Sequence, residues 1–394
     1  MKIVRFSSRT AVSAAAALLA VTALAACGSS DSSGEDPGSG GAGGPAAAAD
    51  AEAILDELAE GFESAVPTEG PAPATGKSVW WISCGQSIPD CSIPAASAGE
   101  AAEALGIDFE IADGKLNVGG GNATAIRTAL STGPDAIIIH GMSCSTVKQP
   151  LEEAKADGVL IMGVEGLDCS DEEGGGDSLF SAPMIYSESA PSVIEYFKSW
   201  GTIGGRYLAA VTDGDVRAIN NAGIEPLQVI QSEGFIEGLA ECSTCEIVDT
   251  VNYGSPDYGP SGTWINQFRA ALAKNPTANA TVFASDAMMT FSGGTQAVNG
   301  AGRDILTVGG TGSSTGVDLV RSGDQTAITG AHDPVWMGYG AMDNMNRALN
   351  GEPAVPQGVG AVLVDQDHNL PADPGSDYVS STDFKSAYLA LWGK

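Results

Sequence analysis

Positive charge and histidine are scarce in this sequence, and each scarcity removes a class of function. Eighteen Lys and Arg stand against 49 Asp and Glu, for a formal net charge of −31. Neutralising a phosphate backbone needs clustered basic residues, so nucleic acid is not an expected partner. An anionic membrane surface would repel the chain, and an acidic surface is enough to keep it soluble. With only three histidines, a metal centre or a general base has few candidates, and none is expected. No Walker lysine motif and no Gly-x-Gly-x-x-Gly opening a helix occurs, so no nucleotide and no cofactor is expected. Beyond residue 26 no apolar run reaches transmembrane length.

The N-terminus is where the long apolar run lies. Lys2, Arg5 and Arg9 precede the uncharged stretch Ala11 to Ala26, which has signal-peptide length. It ends Leu24-Ala25-Ala26-Cys27, which resembles the bacterial lipobox. That resemblance implies cleavage before Cys27 and its acylation, palmitate included. The expectation is a signal peptide over 1–26 and a lipoprotein held by a membrane anchor at the extracytoplasmic face. Removing 1–26 takes three basic residues and no acidic one, so the mature chain is more acidic still. Gly28 to Ala49 is almost wholly Gly, Ser, Ala, Pro and Asp, too poor in apolar side chains to offset its ordering entropy. Ile54, Leu55, Leu58 and Phe62 at helical spacing predict a short helix over Ala49–Ala65, and three prolines mark a linker to Gly76. Residues 27–76 are thus a tether with a short helix.

Six cysteines remain once Cys27 is assigned to lipid. An even count in an exported chain favours disulfides, and the pairings needing least chain travel are Cys84–Cys91, Cys144–Cys169 and Cys242–Cys245. Zinc and thiol chemistry are the rivals for Cys242-Ser-Thr-Cys245. No second pair follows at finger spacing, and the motif lies between a helix and a strand instead of opening a helix.

From Lys77 onward a short apolar run, a polar loop and a helical stretch alternate. Strands are predicted at 78–83, 107–111, 136–140, 160–164 and 179–185, then at 216–220, 246–251, 281–285, 305–309, 327–330 and 359–365. Helices are predicted near 95–105, 122–131, 146–157, 192–211, 226–240, 263–274, 289–299, 316–321, 335–349 and 382–391. Ile137-Ile138-Ile139 lacks alternation, as a strand covered on both faces should. The fold class is therefore α/β, with two doubly wound parallel-sheet lobes facing across a cleft. The residues after the tether exceed one ordinary core, in keeping with two lobes.

Several passages then carry a resemblance to the type I periplasmic binding proteins, specifically the ribose/galactose cluster of ABC transporter substrate-binding proteins. They are Gly121-Asn-Ala-Thr-Ala-Ile-Arg-Thr-Ala-Leu with Gly133-Pro-Asp-Ala-Ile-Ile-Ile-His, Leu151-Glu-Glu-Ala-Lys-Ala-Asp-Gly-Val, Val282-Phe-Ala-Ser-Asp-Ala-Met-Met and Ile305-Leu-Thr-Val-Gly-Gly-Thr-Gly. The resemblance covers Lys77 to the C-terminus. It implies a three-strand hinge, with crossings near 185–188, 332–334 and 364–367. The N-terminal lobe would hold 77–186 plus about 332–364, and the C-terminal lobe 187–331 plus about 365–394. It also implies non-covalent capture of a small solute, delivery to an ABC permease and action as a monomer. The family's charged sugar clamp is mostly missing, since Thr311 stands where an Asp is usual and His332 where a Gln is usual. A polar, largely uncharged pocket is expected.

The candidate ligand-binding residues are Gln86, His140, Glu165, Asn221, Tyr253, Asp286, Thr311 and His332, all at predicted strand ends. Their polar groups suit the hydroxyls of a solute, while Asp286 and Asn221 would serve equally as turn or cap residues and His140 as a structural imidazole. Tyr253 and Tyr258 could stack on a ring. Two alternatives stay open. One is a lipid-anchored sensor presenting its ligand to a receptor. The other is a serine hydrolase using Gly312-x-Ser314-x-Gly316, which sits between strand and helix as a nucleophile elbow does.

Overall fold

The computed structural model describes residues 45–172, 174–254, 257 and 262–394; the signal, Cys27 and Tyr258 readings lie outside them. No helix among the described residues is long and apolar enough to cross a membrane. The first sheet is five-stranded and parallel, ordered β2-β1-β3-β4-β5. Its strands are β1 (Ser78–Ser83), β2 (Asp108–Asp113), β3 (Ala136–His140), β4 (Leu160–Val164) and β5 (Ala182–Pro183). Helices α2 (Pro89–Leu105), α3 (Gly121–Leu130) and α4 (Cys144–Ala156) connect them. Every residue of β3 is buried, as its unbroken isoleucine run requires. Helix α2 starts six residues before its predicted position, because Pro89 fits the first turn of a helix and Pro94 is accommodated further in.

The second sheet is four-stranded and parallel, ordered β7-β6-β8-β9. It is built from β6 (Arg217–Gly223), β7 (Glu246–Tyr253), β8 (Ala280–Phe283) and β9 (Leu306–Gly309). It carries α5 (Val193–Val211), α6 (Pro226–Ala240), α7 (Trp264–Lys274), α8 (Asp286–Thr290), α9 (Gly294–Asn299) and α10 (Ser314–Ser322). The single helix predicted at 289–299 is two, broken at Gly293, whose φ of +90° an α-helix cannot hold. Strand β10 (Ile328–Ala331) pairs antiparallel with β11 (Val362–Val364) beside this sheet.

The remaining helices show how the lobes share the chain. α11 (Pro334–Leu349) packs on α2 of the first lobe. α12 (Phe384–Leu391) packs on α11, and Phe384, Tyr388 and Trp392 share a core with Trp81 and Trp336. α1 (Pro45–Glu60) packs instead on α5 and β11 of the second lobe, where Leu58 is buried with Ile203 and Leu363. The terminal helix thus sits on the first lobe, opposite to the sequence-based expectation for 365–394. β11 sits with the second lobe, so the third crossing runs through 350–361 and not 364–367. The expectation erred because chain order alone does not say which strand β11 joins.

Two further segments cross beside these. Phe62 N–H donates to Ala361 O at 3.1 Å, and Ser64 N–H donates to Gly358 O at 3.0 Å. A Cβ at Gly358 would lie 2.4 Å from Ser64 O, and one at Gly360 would lie 2.3 Å from Glu63 N, so only glycine admits this contact. Glu63 in turn accepts hydrogen bonds from Ser380 Oγ (2.6 Å) and Tyr378 OH (3.2 Å). Three disulfides are present: Cys84–Cys91, Cys144–Cys169 and Cys242–Cys245.

Candidate ligand site between the two lobes

The carboxyl ends of both sheets supply the polar residues. On the first lobe, β3 ends in His140, which is buried, and Glu165 follows β4. His140 Nε2 lies 3.1 Å from Glu165 Oε2. Glu165 adopts φ +49°, a left-handed conformation that costs a non-glycine residue energy and is held here by its surroundings. Its backbone N–H donates to Tyr186 OH at 2.7 Å. Burial pushes the Glu165 carboxyl up, but the hydrogen bond with His140 and the charges of His140 and His332 more than offset this. The carboxyl ends below its ordinary value and stays ionised.

Aromatic rings wall this carboxylate. Tyr186 stacks on Tyr196 at 4.3 Å between centroids, and Trp200 stacks on His332 at 5.1 Å. Tyr196 and Trp200 lie four residues apart on α5, one helical turn, so they share a face. A capping box between Ser192 and Glu195 fixes the start of that helix. His332 Nδ1 lies 3.0 Å from Gly330 O, and its Nε2 lies 3.9 Å from Glu165 Oε1. Several buried polar atoms have no protein partner: Glu165 Oε1, Tyr196 OH, Trp200 Nε1 and Gln86 Nε2. Each costs about 1–3 kcal/mol unless something else satisfies it.

The second lobe contributes Asp286. Its Oδ2 accepts from Thr311 N–H and Oγ1 and from Ser313 N–H and Oγ, at 2.7–3.3 Å. Burial nonetheless wins, and the carboxyl is raised above its ordinary value. Between the lobes lies a narrow crevice of about 10 Å³, lined by Asp90, Ile93, Thr311, Ser313, His332 and Asp377, among others. That is room for about one water, far below the roughly 300–1,000 Å³ of small-molecule sites. Asp90 keeps a face toward water yet is crowded by protein. Loss of hydration, then the Asp286 charge, pushes its carboxyl up to about 6.

The structure therefore brings His140, Glu165, Asp286, Thr311 and His332 together around one cleft. Gln86 lies in the Cys84–Cys91 loop that leads to Asp90. Asn221 does not join them. Its Nδ2 donates to Thr281 Oγ1 and Val282 O, and its Oδ1 accepts from Trp264 Nε1, so its hydrogen-bonding capacity is spent inside the second lobe. Tyr253 is likewise buried in that lobe's core. Sequence reasoning missed Asp90, Tyr196, Trp200 and Asp377. Only Asp90 carried a signal, as an acidic residue in the first turn of a helix at a sheet's carboxyl edge. The expectation of a largely uncharged pocket is corrected: four carboxylates approach it from separate segments.

The elbow motif finds no base. Ser314 N–H donates to Asp377 Oδ1, while His332 bonds Gly330 O and His368 Nδ1 lies 2.9 Å from Asp365. Among the described residues no hydrogen bond joins the Ser314 hydroxyl to a histidine. No group of three or more His, Cys, Asp or Glu that could hold a metal occurs among the described residues.

Comparison with known proteins identifies the frame. The family model described as periplasmic binding protein domain matches residues 78–353. The chain belongs to that family. The family is one of extracytoplasmic substrate-binding proteins, which are not enzymes. No curated protein matches the chain. Among solved structures, it resembles the arabinose ABC transporter component from Shewanella sp. ANA-3, solved with α- and β-L-arabinofuranose. Identity is 19%, the TM-score 0.58, and coverage 80% of this chain and 95% of that one. An ABC transporter solute-binding protein from Agrobacterium vitis with α-D-tagatopyranose shares 21% identity and a TM-score of 0.61, covering 78% and 100%. A periplasmic ribose ABC transporter structure from Conexibacter woesei shares 21% identity and a TM-score of 0.57, covering 75% and 93%. At these identities the likeness is one of fold.

Proposed function

We propose that this chain is the lipid-anchored solute-capture component of an ABC importer, working as a monomer and closing its lobes around a small polyhydroxylated solute. The observation that carries the reading is the set of unpartnered buried polar atoms, Glu165 Oε1, Tyr196 OH and Trp200 Nε1, around the interlobe cleft. A sugar or polyol offers hydroxyls that donate and accept together with an apolar face for the rings. Glu165 follows β4, at a strand's carboxyl end, where doubly wound sheets bind ligands. The solutes named for the similar structures are sugars, in keeping with this reading. Acylated Cys27 would hold the protein to the outer face of the cell membrane, where the permease receives the solute.

Thermal-shift and calorimetric titrations with sugars and polyols test the proposal. A bound solute raises Tm in a concentration-dependent way and alters Trp200 fluorescence. Failure of every such solute to do either overturns the capture reading.

A further inference from the structure

The segment that carries the chain from α1 to β1 lies outside the matched family domain, which starts at residue 78, yet it is fixed to both lobes. Upstream, Leu58 is buried with Ile203 and Leu363 of the second lobe. Arg206 of α5 donates to both carboxylate oxygens of Glu57, at 2.8 and 3.0 Å. Downstream, Val66 is buried in the core that holds Trp81 of the first lobe. Arg347 Nη2 on α11 donates to Glu69 O at 2.6 Å, and Ala74 N–H donates to Asn346 Oδ1 at 2.8 Å. A strap thus joins the two lobes in addition to the three crossings.

Residues 62–64 of the strap reach all three crossings. Phe62 and Ser64 bond the backbone of the third, at Ala361 and Gly358. Ser64 Oγ accepts from Glu188 N–H of the first at 3.3 Å. Glu63 holds Ser380 and Tyr378, and Ser380 N–H donates in turn to Asp333 Oδ2 at 3.2 Å. Asp333 belongs to the second crossing and caps α11. Phe62 also meets Tyr196 edge-on, with 5.6 Å between centroids, so the strap touches the rings that wall Glu165. Changing the angle between the lobes rotates the crossings, and these contacts then stretch or break.

We propose that residues 62–64 are a fourth hinge segment, which restrains opening of the lobes and so tunes solute capture without touching the solute. The lobes it joins stand close together, since Asp90 and Ile93 of the first and Thr311 and Ser313 of the second line the same narrow crevice. Where the closed form holds the solute, apparent affinity falls with the fraction of empty molecules in that form. Contacts that restrain opening therefore contribute to affinity from outside the cleft. The inference rests on the capture reading above and adds to it a device that sets the hinge equilibrium.

Two variants loosen the strap by different routes. Gly360→Ala leaves every strap side chain in place, but the atoms nearest its Cβ would be Glu63 N, Phe62 C and Phe62 O, at 2.3–2.5 Å, so the strap must lift. Glu63→Ala removes the link to Ser380 and Tyr378. Small-angle X-ray scattering is measured on the solute-free mature chain, carrying Cys27→Ser so that no lipid is attached. Both variants are expected to show a larger radius of gyration than their parent. An unchanged radius, with only Tm lowered, marks the segment as structural and overturns the proposal. Scattering needs no solute, so it decides the strap even where the capture reading fails. Any of D-ribose, L-arabinose and D-galactose that the parent binds in calorimetry is expected to bind each variant about tenfold more weakly. Equal affinity overturns the coupling of strap to capture.

Discussion

The two lobes fasten their polypeptide at opposite ends of their sheets. In the first lobe, Cys84–Cys91 closes the loop after β1, and Cys144–Cys169 ties the start of α4 to the loop after β4. Both lie at the carboxyl edge, beside Asp90 and Glu165. In the second lobe, Cys242–Cys245 joins the end of α6 to the start of β7, at the amino edge away from the cleft. Its cleft-facing loop at 310–316 is organised by one carboxylate, Asp286, and by glycine. The close approach there is severe, since a Cβ at Gly316 would lie 2.5 Å from Asp286 Oδ1. The first lobe therefore holds its ligand-facing loops by covalent closure, and the second by hydrogen bonds to a buried aspartate.

The contrast can be broken by removing each device in turn. Replacing Cys144 and Cys169 together by serine opens a loop with a sequence separation of 25. It should cost ~3.5 kcal/mol of stability by loop entropy, read by denaturant unfolding, and should weaken solute binding in calorimetry. Opening Cys242–Cys245, with a separation of 3, should cost ~2 kcal/mol and leave affinity unchanged. Equal effects on affinity from the two pairs would abolish the distinction. Tyr186→Phe leaves the Glu165 N–H without its acceptor and should cost about 1–2 kcal/mol. Its melting curve and its solute affinity should move together, because the same hydrogen bond holds the left-handed turn.

The smallest effect belongs to Asp90. Its carboxyl titrates near 6 in the folded chain against an ordinary 3.8. Between those values the folded state holds a proton that the unfolded state has lost. Stability contributed at this site is therefore present at acid pH, declines as pH rises through roughly 4 to 6, and stays lower above. Asp90→Asn should raise Tm slightly at about pH 7.5 and lose that gain near pH 4. A gain that does not depend on pH would show that the carboxylate is not strained by its neighbours.

How much of this was legible in the sequence depended on whether the signal was local. β1, β3, β4 and α6 fall at their predicted residues, because each strand is a largely apolar run between turn residues and α6 opens on Pro226. The three disulfides follow from short chain separations. What escaped was set by packing between distant segments. Asn221 sits at a strand's carboxyl end, as a ligand residue would, yet Thr281, Val282 and Trp264 consume its hydrogen bonds. Tyr196 and Trp200 read as an ordinary helix face until β10 delivers His332 onto the indole. Part of the pocket's acidity was missed for the same reason, since Asp90 and Asp377, which join Glu165 and Asp286 there, come from segments far apart in the chain.

The exchange of terminal helices bears on how the chain reaches its final form. α1, at the start of the described chain, finishes the second lobe, and α12, at its end, finishes the first. During synthesis the first lobe would emerge with Trp336 lacking its stacking partner Phe384, and Tyr339 lacking Trp392. Its core is sealed only once α12 and Trp392 have been made. The first half to leave the ribosome is thus among the last parts to mature, and neither lobe can be excised as a continuous stretch and keep its own interior.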